Sequence, residues 1–293
     1  MRIRAFDYHP AESLAQALEL LGRHGPEVKV LAGGTDLVLG LKEKQLKPTG
    51  VVDIQRVREL DYIRQEGSKV RLGALTRHAD LAVNPLIQEQ APALAQAAGQ
   101  VGSVQIRNVG TLGGNLANGS PAADTAPPLL ALEARAVLTG LEGEEEVPLG
   151  SFFIGPGETR LKPDQLLKEI VFDLPQDRGQ SRYLKLMRKK AVDLSLAGVA
   201  FQAWPDPSGQ RLARAAIALG GVAPTPIRAS QAEGMLQGLT RTEALAALPS
   251  AAKAAVKAAS PIDDVRASAE YRKRAVETFV LRGGQEVIGR VFL

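Results

Sequence analysis

The chain has 293 residues, 45% hydrophobic and 23% charged, enough to bury the cores of two or three modest domains. It contains no cysteine, which excludes disulfides, thiolate metal sites, cysteine nucleophiles and any iron-sulfur cluster ligated by this chain. A formal net charge of +4, spread along the sequence, reads as a mildly basic surface rather than a nucleic-acid footprint.

No apolar run approaches the roughly 20 residues of a membrane span. The N-terminus has no apolar core of a secretory signal, so the expected location is the cytoplasm. His9, His24 and His78 stand far apart and in no metal-ligand spacing, and are expected as solvated or capping residues.

In chain order, Leu14, Ala17, Leu18 and Leu21 fall at helical spacing after Pro10, with Gly22 and Gly25 as the stop. Val28 to Leu31 reads as a short buried strand running into Ala32-Gly33-Gly34-Thr35-Asp36, followed by a helical pattern over Leu37 to Lys44. A strand at Val51 to Ile54 completes a small α/β unit near residue 55. A hairpin is expected over Asp61 to Ala74 with its turn at Gly67 and Ser68, then helices over Thr76 to Ala82 and Pro85 to Ala98. Gly99 to Ser120 is rich in glycine and asparagine without sustained periodicity, and reads as a long ordered loop before a helix over Pro121 to Leu132.

Strands near Arg135 to Thr139 and Leu166 to Asp173 bracket a turn-rich stretch in which Glu144, Glu145 and Glu146 look like a solvated hairpin tip. Leu174 to Gly179 breaks the pattern and is the expected linker. Beyond it, strands are expected at Tyr183 to Met187, Leu196 to Ala203 and Leu212 to Gly220, with Pro205 to Gly209 connecting the last two and alanine-rich helices to the end. The expected division is 1–176, with subdomains of about 1–55 and 56–176, and 177–293.

Two segments stand apart: Ala32-Gly33-Gly34-Thr35-Asp36 and Gly110-Thr111-Leu112-Gly113-Gly114-Asn115. Paired glycines let a ligand approach the main chain closely, and successive amide groups make a partial positive charge suited to a diphosphate. Neither ends in the Lys-Ser or Lys-Thr of a P-loop, and no G-x-G-x-x-G occurs. Taken alone, a strand followed by Gly-Gly is more often an ordinary turn. There is no G-x-S-x-G elbow and no plausible Ser-His-Asp set, so cofactor chemistry is the expectation.

Lys29-Val30-Leu31-Ala32-Gly33-Gly34-Thr35-Asp36 together with the run Gln105 to Asn115 resembles the FAD-binding medium subunit of the xanthine dehydrogenase and carbon monoxide dehydrogenase family. The similarity continues through Ser120 to Asp124 and Lys185 to Lys190 plus Asp193, in order and over nearly the whole chain. It implies an α+β, vanillyl-alcohol-oxidase-type (PCMH-type) FAD-binding fold of two α/β subdomains, and a C-terminal domain with a three-stranded antiparallel sheet and helices. Carried over by position, Lys29 to Leu37 and Gly110, Thr111, Gly113, Gly114 and Asn115 would hold FAD. Ala32 to Asp36 and Thr111 to Asn115 would take its diphosphate through backbone donors. Asn118 and Asp124 would lie beside the ribityl and ring region, Val101, Gly102, Leu167 and Lys185 would border the cofactor, and Ala117 would also be among the residues that bind it. No metal site is implied in this chain. Asp124 also fits a helix cap, and the run Lys185, Arg188, Lys189 and Lys190 also fits a solvated basic face.

The function implied is electron transfer within a molybdenum hydroxylase. A large subunit would carry the molybdenum cofactor and a small one the [2Fe-2S] clusters, in a dimer of heterotrimers. Without the cysteine-bearing insertion of the 4-hydroxybenzoyl-CoA reductase branch, this chain would carry FAD only. Leu194 stands where some relatives place a tyrosine beside Asp193, which leaves the electron acceptor open. Two other readings remain at this point: a free-standing FAD-dependent oxidase or reductase of the same fold, as in the UDP-N-acetylenolpyruvylglucosamine reductase branch, and a non-catalytic nucleotide or nucleic-acid binding module.

Overall fold

The computed structural model describes residues 3–174, 179–189 and 192–293. Most of the expected linker, and Lys190 of the basic run, lie outside the described residues.

The first unit is built from β1 (Asp7–Pro10), α1 (Leu14–His24), β2 (Val28–Leu31), α2 (Leu37–Lys42) and β3 (Gly50–Asp53). Ser13 caps α1 by accepting the Gln16 amide, and the helix ends where Gly25 turns to φ 57°. Its buried face, Ala17, Leu18 and Leu21, covers a parallel sheet in the order β1-β3-β2. His9 and His24 stack at 4.4 Å between ring centroids and are half-buried. They form a packed pair rather than two solvated side chains.

The second unit opens with β4 (Ile63–Glu66) and β5 (Lys69–Gly73), a hairpin turned by Gly67 at φ 58°. Five short helices follow: α3 (His78–Val83), α4 (Pro85–Gln90), α5 (Pro92–Gly99), α6 (Val104–Val109) and α7 (Leu112–Ala117). The single helix expected over Pro85 to Ala98 is split, because Pro92 lacks an amide and forces Ala91 out of the helical region. The stretch expected as a long loop holds α6 and α7. Each has six residues, too few for an apolar period to emerge, and each is started by a side-chain cap, Ser103 or Thr111.

Next come α8 (Ala126–Ala131), β6 (Arg135–Gly140), β7 (Gly143–Pro148), α9 (Leu149–Phe152), β8 (Phe153–Gly155), β9 (Glu158–Thr159) and β10 (Leu166–Asp173). Two prolines in its first turn delay α8 until residue 126, later than expected. An antiparallel sheet in the order β4-β5-β10-β6-β7 closes this unit. Glu144, Glu145 and Glu146 are strand residues of β7, not a hairpin tip. Glu144 pairs with Lys168 and Glu146 with Arg135 across the sheet.

The C-terminal part contains β11 (Gln180–Leu186), β12 (Ala197–Pro205), β13 (Leu212–Gly220), β14 (Ile227–Arg228), α10 (Ser230–Gly234), α11 (Arg241–Ala258) and α12 (Ala269–Val291). The three long strands form the antiparallel sheet, which the two-residue β14 extends. Every residue of β12 is buried, and strand alternation explains why. Ala197, Val199, Phe201 and Ala203 face α11 and α12, whereas Ala200 and Trp204 join the core of the second unit. β13 divides the same way, with Ile217 and Leu219 on one side and Ala216 and Ala218 on the other. The sheet is therefore shared between two cores, and a hydrophobic layer rather than a flexible joint connects the halves of the chain.

Candidate functional site

β2 ends at Leu31, and the chain then turns through Ala32 to Asp36 before entering α2. Gly34 sits at φ 71°, in the left-handed region that favours glycine. Gln55 pins the turn by donating from Nε2 to the Ala32 carbonyl at 2.7 Å. Among the described residues, no protein acceptor takes the backbone amides of Ala32, Gly33, Gly34, Thr35 or Asp36. Five consecutive uncommitted donors on a half-exposed turn fit a doubly charged diphosphate.

The second glycine segment lies directly against the first. A Cβ on Gly33 would stand 2.1 Å from the Val109 carbonyl oxygen and 2.8 Å from the Gly110 Cα. The amides of this segment are largely committed, however. Leu112 donates to the Thr76 carbonyl, Gly113 to that of Ala74, Gly114 to the Thr111 hydroxyl and Asn115 to the Thr111 carbonyl. Gly113 is required for packing, since its Cβ would meet the Ala74 Cβ at 2.6 Å. Gly114 faces open space apart from Thr111 Oγ1 at 3.0 Å. The expectation that Thr111 to Asn115 offers a second row of backbone donors is thus corrected. Among those amides only that of Thr111 has no protein acceptor, and the segment acts as the wall on which the first turn rests.

His78 lies behind that wall. Expected as solvated or capping, it is 2% exposed, with Nδ1 sealed from water and unpartnered. Its amide donates to the Gly110 carbonyl at 3.1 Å. Burial, reinforced by the positive charge of Arg107, lowers its pKa from 6.5 to about 4, so the imidazole is neutral at physiological pH. Arg107 itself is turned inward, donating to the carbonyls of Val101 and Gly102. These contacts hold the loop in which Gly102 adopts φ 46°.

Asp124 is buried and caps no helix. Its Oδ1 accepts from the Tyr183 hydroxyl at 2.8 Å and its Oδ2 from Lys185 Nζ at 2.7 Å. Lys185 is no part of a solvated face: its side chain is fully buried, and Nζ also donates to the Gln100 carbonyl at 2.9 Å. Burial pushes the Asp124 carboxyl upward, and the Lys185 charge and Tyr183 hydrogen bond oppose that rise. Thr125, next in sequence, donates from Oγ1 to Asn115 Oδ1 at 2.7 Å. One connected network therefore joins Asn115, Asp124, Lys185 and the carbonyl beside Val101.

The remaining expected residues are placed less centrally. Ala117 and the exposed Asn118 end α7. The Leu167 side chain is buried in the core opposite Leu138, so only its backbone can border a ligand. Lys29 is exposed on β2, Val30 and Leu31 are half-buried there, and Leu37 opens α2. Arg188 and Lys189 are exposed, and Arg188 pairs with Asp193 at 3.4 Å. Sequence reasoning missed Gln55, Gln96, Arg107 and Tyr183. For Tyr183 a signal was present, because its spacing of two from Lys185 puts both on one strand face.

Among the described residues no helix is long and apolar enough to cross a membrane, and no three metal-binding side chains cluster. Residues 4–175 match the family described as the FAD binding domain in molybdopterin dehydrogenase, and residues 182–287 match the carbon monoxide dehydrogenase flavoprotein C-terminal domain. The carbon monoxide dehydrogenase medium chain of Hydrogenophaga pseudoflava is 37% identical, over 94% of this chain and 95% of its own. Subunit alpha of the 6-hydroxypseudooxynicotine dehydrogenase complex of Paenarthrobacter nicotinovorans is 35% identical, over 96% of this chain and 94% of its own. A solved carbon monoxide dehydrogenase structure from Hydrogenophaga pseudoflava superposes with a TM-score of 0.94 at 36% identity, covering 99% of both chains. The paired glycine segments, the shared-sheet architecture and these matches place the chain in one family: it is an FAD-binding medium subunit of the carbon monoxide dehydrogenase and xanthine dehydrogenase type, an oxidoreductase flavoprotein.

Proposed function

We propose that this chain is the electron-transfer subunit of a heterotrimeric molybdenum hydroxylase. It would receive electrons from the [2Fe-2S] clusters of a small partner and deliver them to an external acceptor. Substrate oxidation would occur at the molybdenum cofactor of a large partner, in a cytoplasmic dimer of heterotrimers. FAD supplies the required chemistry when bound, exchanging electrons singly with clusters and in pairs with an acceptor.

The observation that carries this reading is the row of five uncommitted amides at Ala32 to Asp36, held in place by the fit of Gly33 against Gly110. Those amides and that of Thr111 would bind the diphosphate. Asn118 and Asp124 would accept or donate to the ribityl hydroxyls, and Val101 and Gly102 would close the edge of the site. Lys185 would lend a positive end, paired with the Asp124 carboxylate at 2.7 Å. The cofactor domain would span 1–176 and the C-terminal domain 177–293. The relatives' names include a carbon monoxide dehydrogenase and a 6-hydroxypseudooxynicotine dehydrogenase. So wide a range supports a substrate choice made in another subunit.

The test is the visible absorption spectrum of the purified chain, with release and identification of flavin after denaturation. One FAD per chain, and substrate-driven flavin reduction only when the two partners are present, is the expected result. A chain that FAD cannot reconstitute rules the proposal out. Self-sufficient substrate turnover would instead identify a free-standing oxidoreductase.

A further inference from the structure

Three alternate residues of β11 reach across to α5 and its C-terminal end. Ser181 Oγ accepts the Ala93 amide at 3.0 Å, the Tyr183 amide donates to Gln96 Oε1 at 2.9 Å, and Lys185 Nζ donates to the Gln100 carbonyl at 2.9 Å. The period of two along a strand, set against helical positions three and four apart, makes the two elements mesh. This polar seam runs through an otherwise apolar interface between the two halves of the chain.

The seam also delivers a hydroxyl to Asp124. Tyr183 is 2% exposed, and a buried ring that only filled space would need no hydroxyl. Room for one is nevertheless provided: a Cβ on Gly198, in the neighbouring strand, would stand 2.6 Å from Tyr183 Oη. Gly198 thus clears the position from which the hydroxyl reaches Asp124 Oδ1 at 2.8 Å. Lys185 takes the other oxygen at 2.7 Å. A carboxylate has about four acceptor positions, so two fixed donors orient Asp124 and still leave one lone pair on each oxygen. Such an oriented acceptor suits the hydroxyls of a polyol chain. Through Thr125 and Asn115 it is tied to the glycine segment itself.

We propose that Tyr183 is a positioning residue for the flavin site, orienting Asp124 from across the domain boundary so that the carboxylate can accept the ribityl hydroxyls of FAD. The inference rests on the cofactor reading above. Docking of the C-terminal sheet then completes the site, and the cofactor domain alone holds Asp124 incompletely.

The test uses the full chain with FAD added as the probe. Tyr183→Phe should bind FAD about 10-fold more weakly, the loss expected for one hydrogen bond to a charged group. It should also shift the visible absorption bands of the bound flavin. Gly198→Ala, which crowds the hydroxyl while keeping the ring, should do the same. Adding Tyr183→Phe to Asp124→Asn should weaken binding no further than Asp124→Asn alone. Ser181→Ala, which breaks the seam away from Asp124, should lower thermal stability and leave FAD affinity unchanged. A wild-type chain that binds FAD while Tyr183→Phe and Gly198→Ala match it in affinity and spectrum overturns the positioning role alone. So does full additivity with Asp124→Asn. A wild-type chain that takes up no FAD overturns the cofactor reading and this inference together.

Discussion

Gly33 approaches the Val109 carbonyl so closely that a Cβ would stand 2.1 Å from the oxygen, well inside van der Waals contact. The two glycine segments, some 77 residues apart in sequence (110 − 33), are therefore one object, a turn seated on a wall. Gly33→Ala cannot be absorbed by a rotamer change, because the obstruction is backbone. It should cost about 1–3 kcal/mol, as overpacking does, and should displace the row of free amides. Flavin uptake is expected to fall sharply, and a Gly33→Ala chain with wild-type flavin content would show that the turn does not carry the diphosphate.

Gly114→Val separates cofactor binding from folding. Among protein atoms the added Cβ meets only Thr111 Oγ1, at 3.0 Å, so the branched side chain enters space that no other protein atom fills. Its stability cost should stay at about 1 kcal/mol, the scale of a strained helix N-cap. Bound FAD should be lost nonetheless. Paired thermal melts and flavin-release measurements decide it, and a cooperative melt with full flavin occupancy goes against the assignment.

Much of this is legible in the sequence, and the rest is hidden for identifiable physical reasons. The strand, Gly-Gly turn and helix around residues 28–42 follow from local pattern, as do the hairpin at Gly67 and the three long C-terminal strands. α6 and α7 hide in a loop-like sequence because six residues hold fewer than two helical turns. The caps Ser103 and Thr111 were the available signal. Committed amides on Leu112 to Asn115, the burial of His78 and the Asp124–Lys185 pair depend on partners up to 61 residues away. Periodicity carries no information about such partners.

Neutral His78 should make stability fall in acid. Its folded-state pKa is about 4 against 6.5 for the free side chain. Between those values the unfolded chain takes up a proton that the folded chain refuses. The stability contribution is complete above pH 6.5 and is lost as pH drops toward 4, to a total on the order of 3 kcal/mol. Denaturant midpoints from pH 8 to pH 4 should show this slope, and His78→Leu should flatten it. An unchanged slope in the variant would mean that other groups carry the acid sensitivity.

Arg272 should anchor the C-terminal helices through its guanidinium. Buried at 5% exposure, it donates to the carbonyls of Leu196 and Gly221 and pairs with Asp264 at 2.9 Å. Arg272→Leu would strand the buried Leu196 carbonyl, at roughly 1–3 kcal/mol before relaxation, and the part-buried Gly221 carbonyl. Hydrogen exchange should report early opening of α12 and β12, with protection in the N-terminal parallel sheet preserved. Uniform loss of protection across the chain would contradict a local anchor.

Lys185→Met tests whether the buried pair is held together by charge. Removing the ammonium leaves Asp124 in an apolar interface with Tyr183 as its remaining donor, and breaking a buried pair commonly costs about 3–5 kcal/mol. The direction with pH follows from the carboxyl's own shift. Burial already raises it and the Lys185 charge opposes that rise, so the variant's Asp124 should hold its proton to higher pH than the unfolded chain does. A folded state that binds the extra proton gains stability as pH falls through that raised pKa. The deficit relative to wild type should therefore be large near pH 8 and shrink toward pH 5. Adding Asp124→Asn should remove the pH dependence and recover part of the loss, because the uncompensated charge is then absent. Equal deficits at both pH values would show that losing Lys185 does not change Asp124 protonation across that window. Lys185 would then act there as a hydrogen-bond donor to Gln100 rather than as a counter-charge.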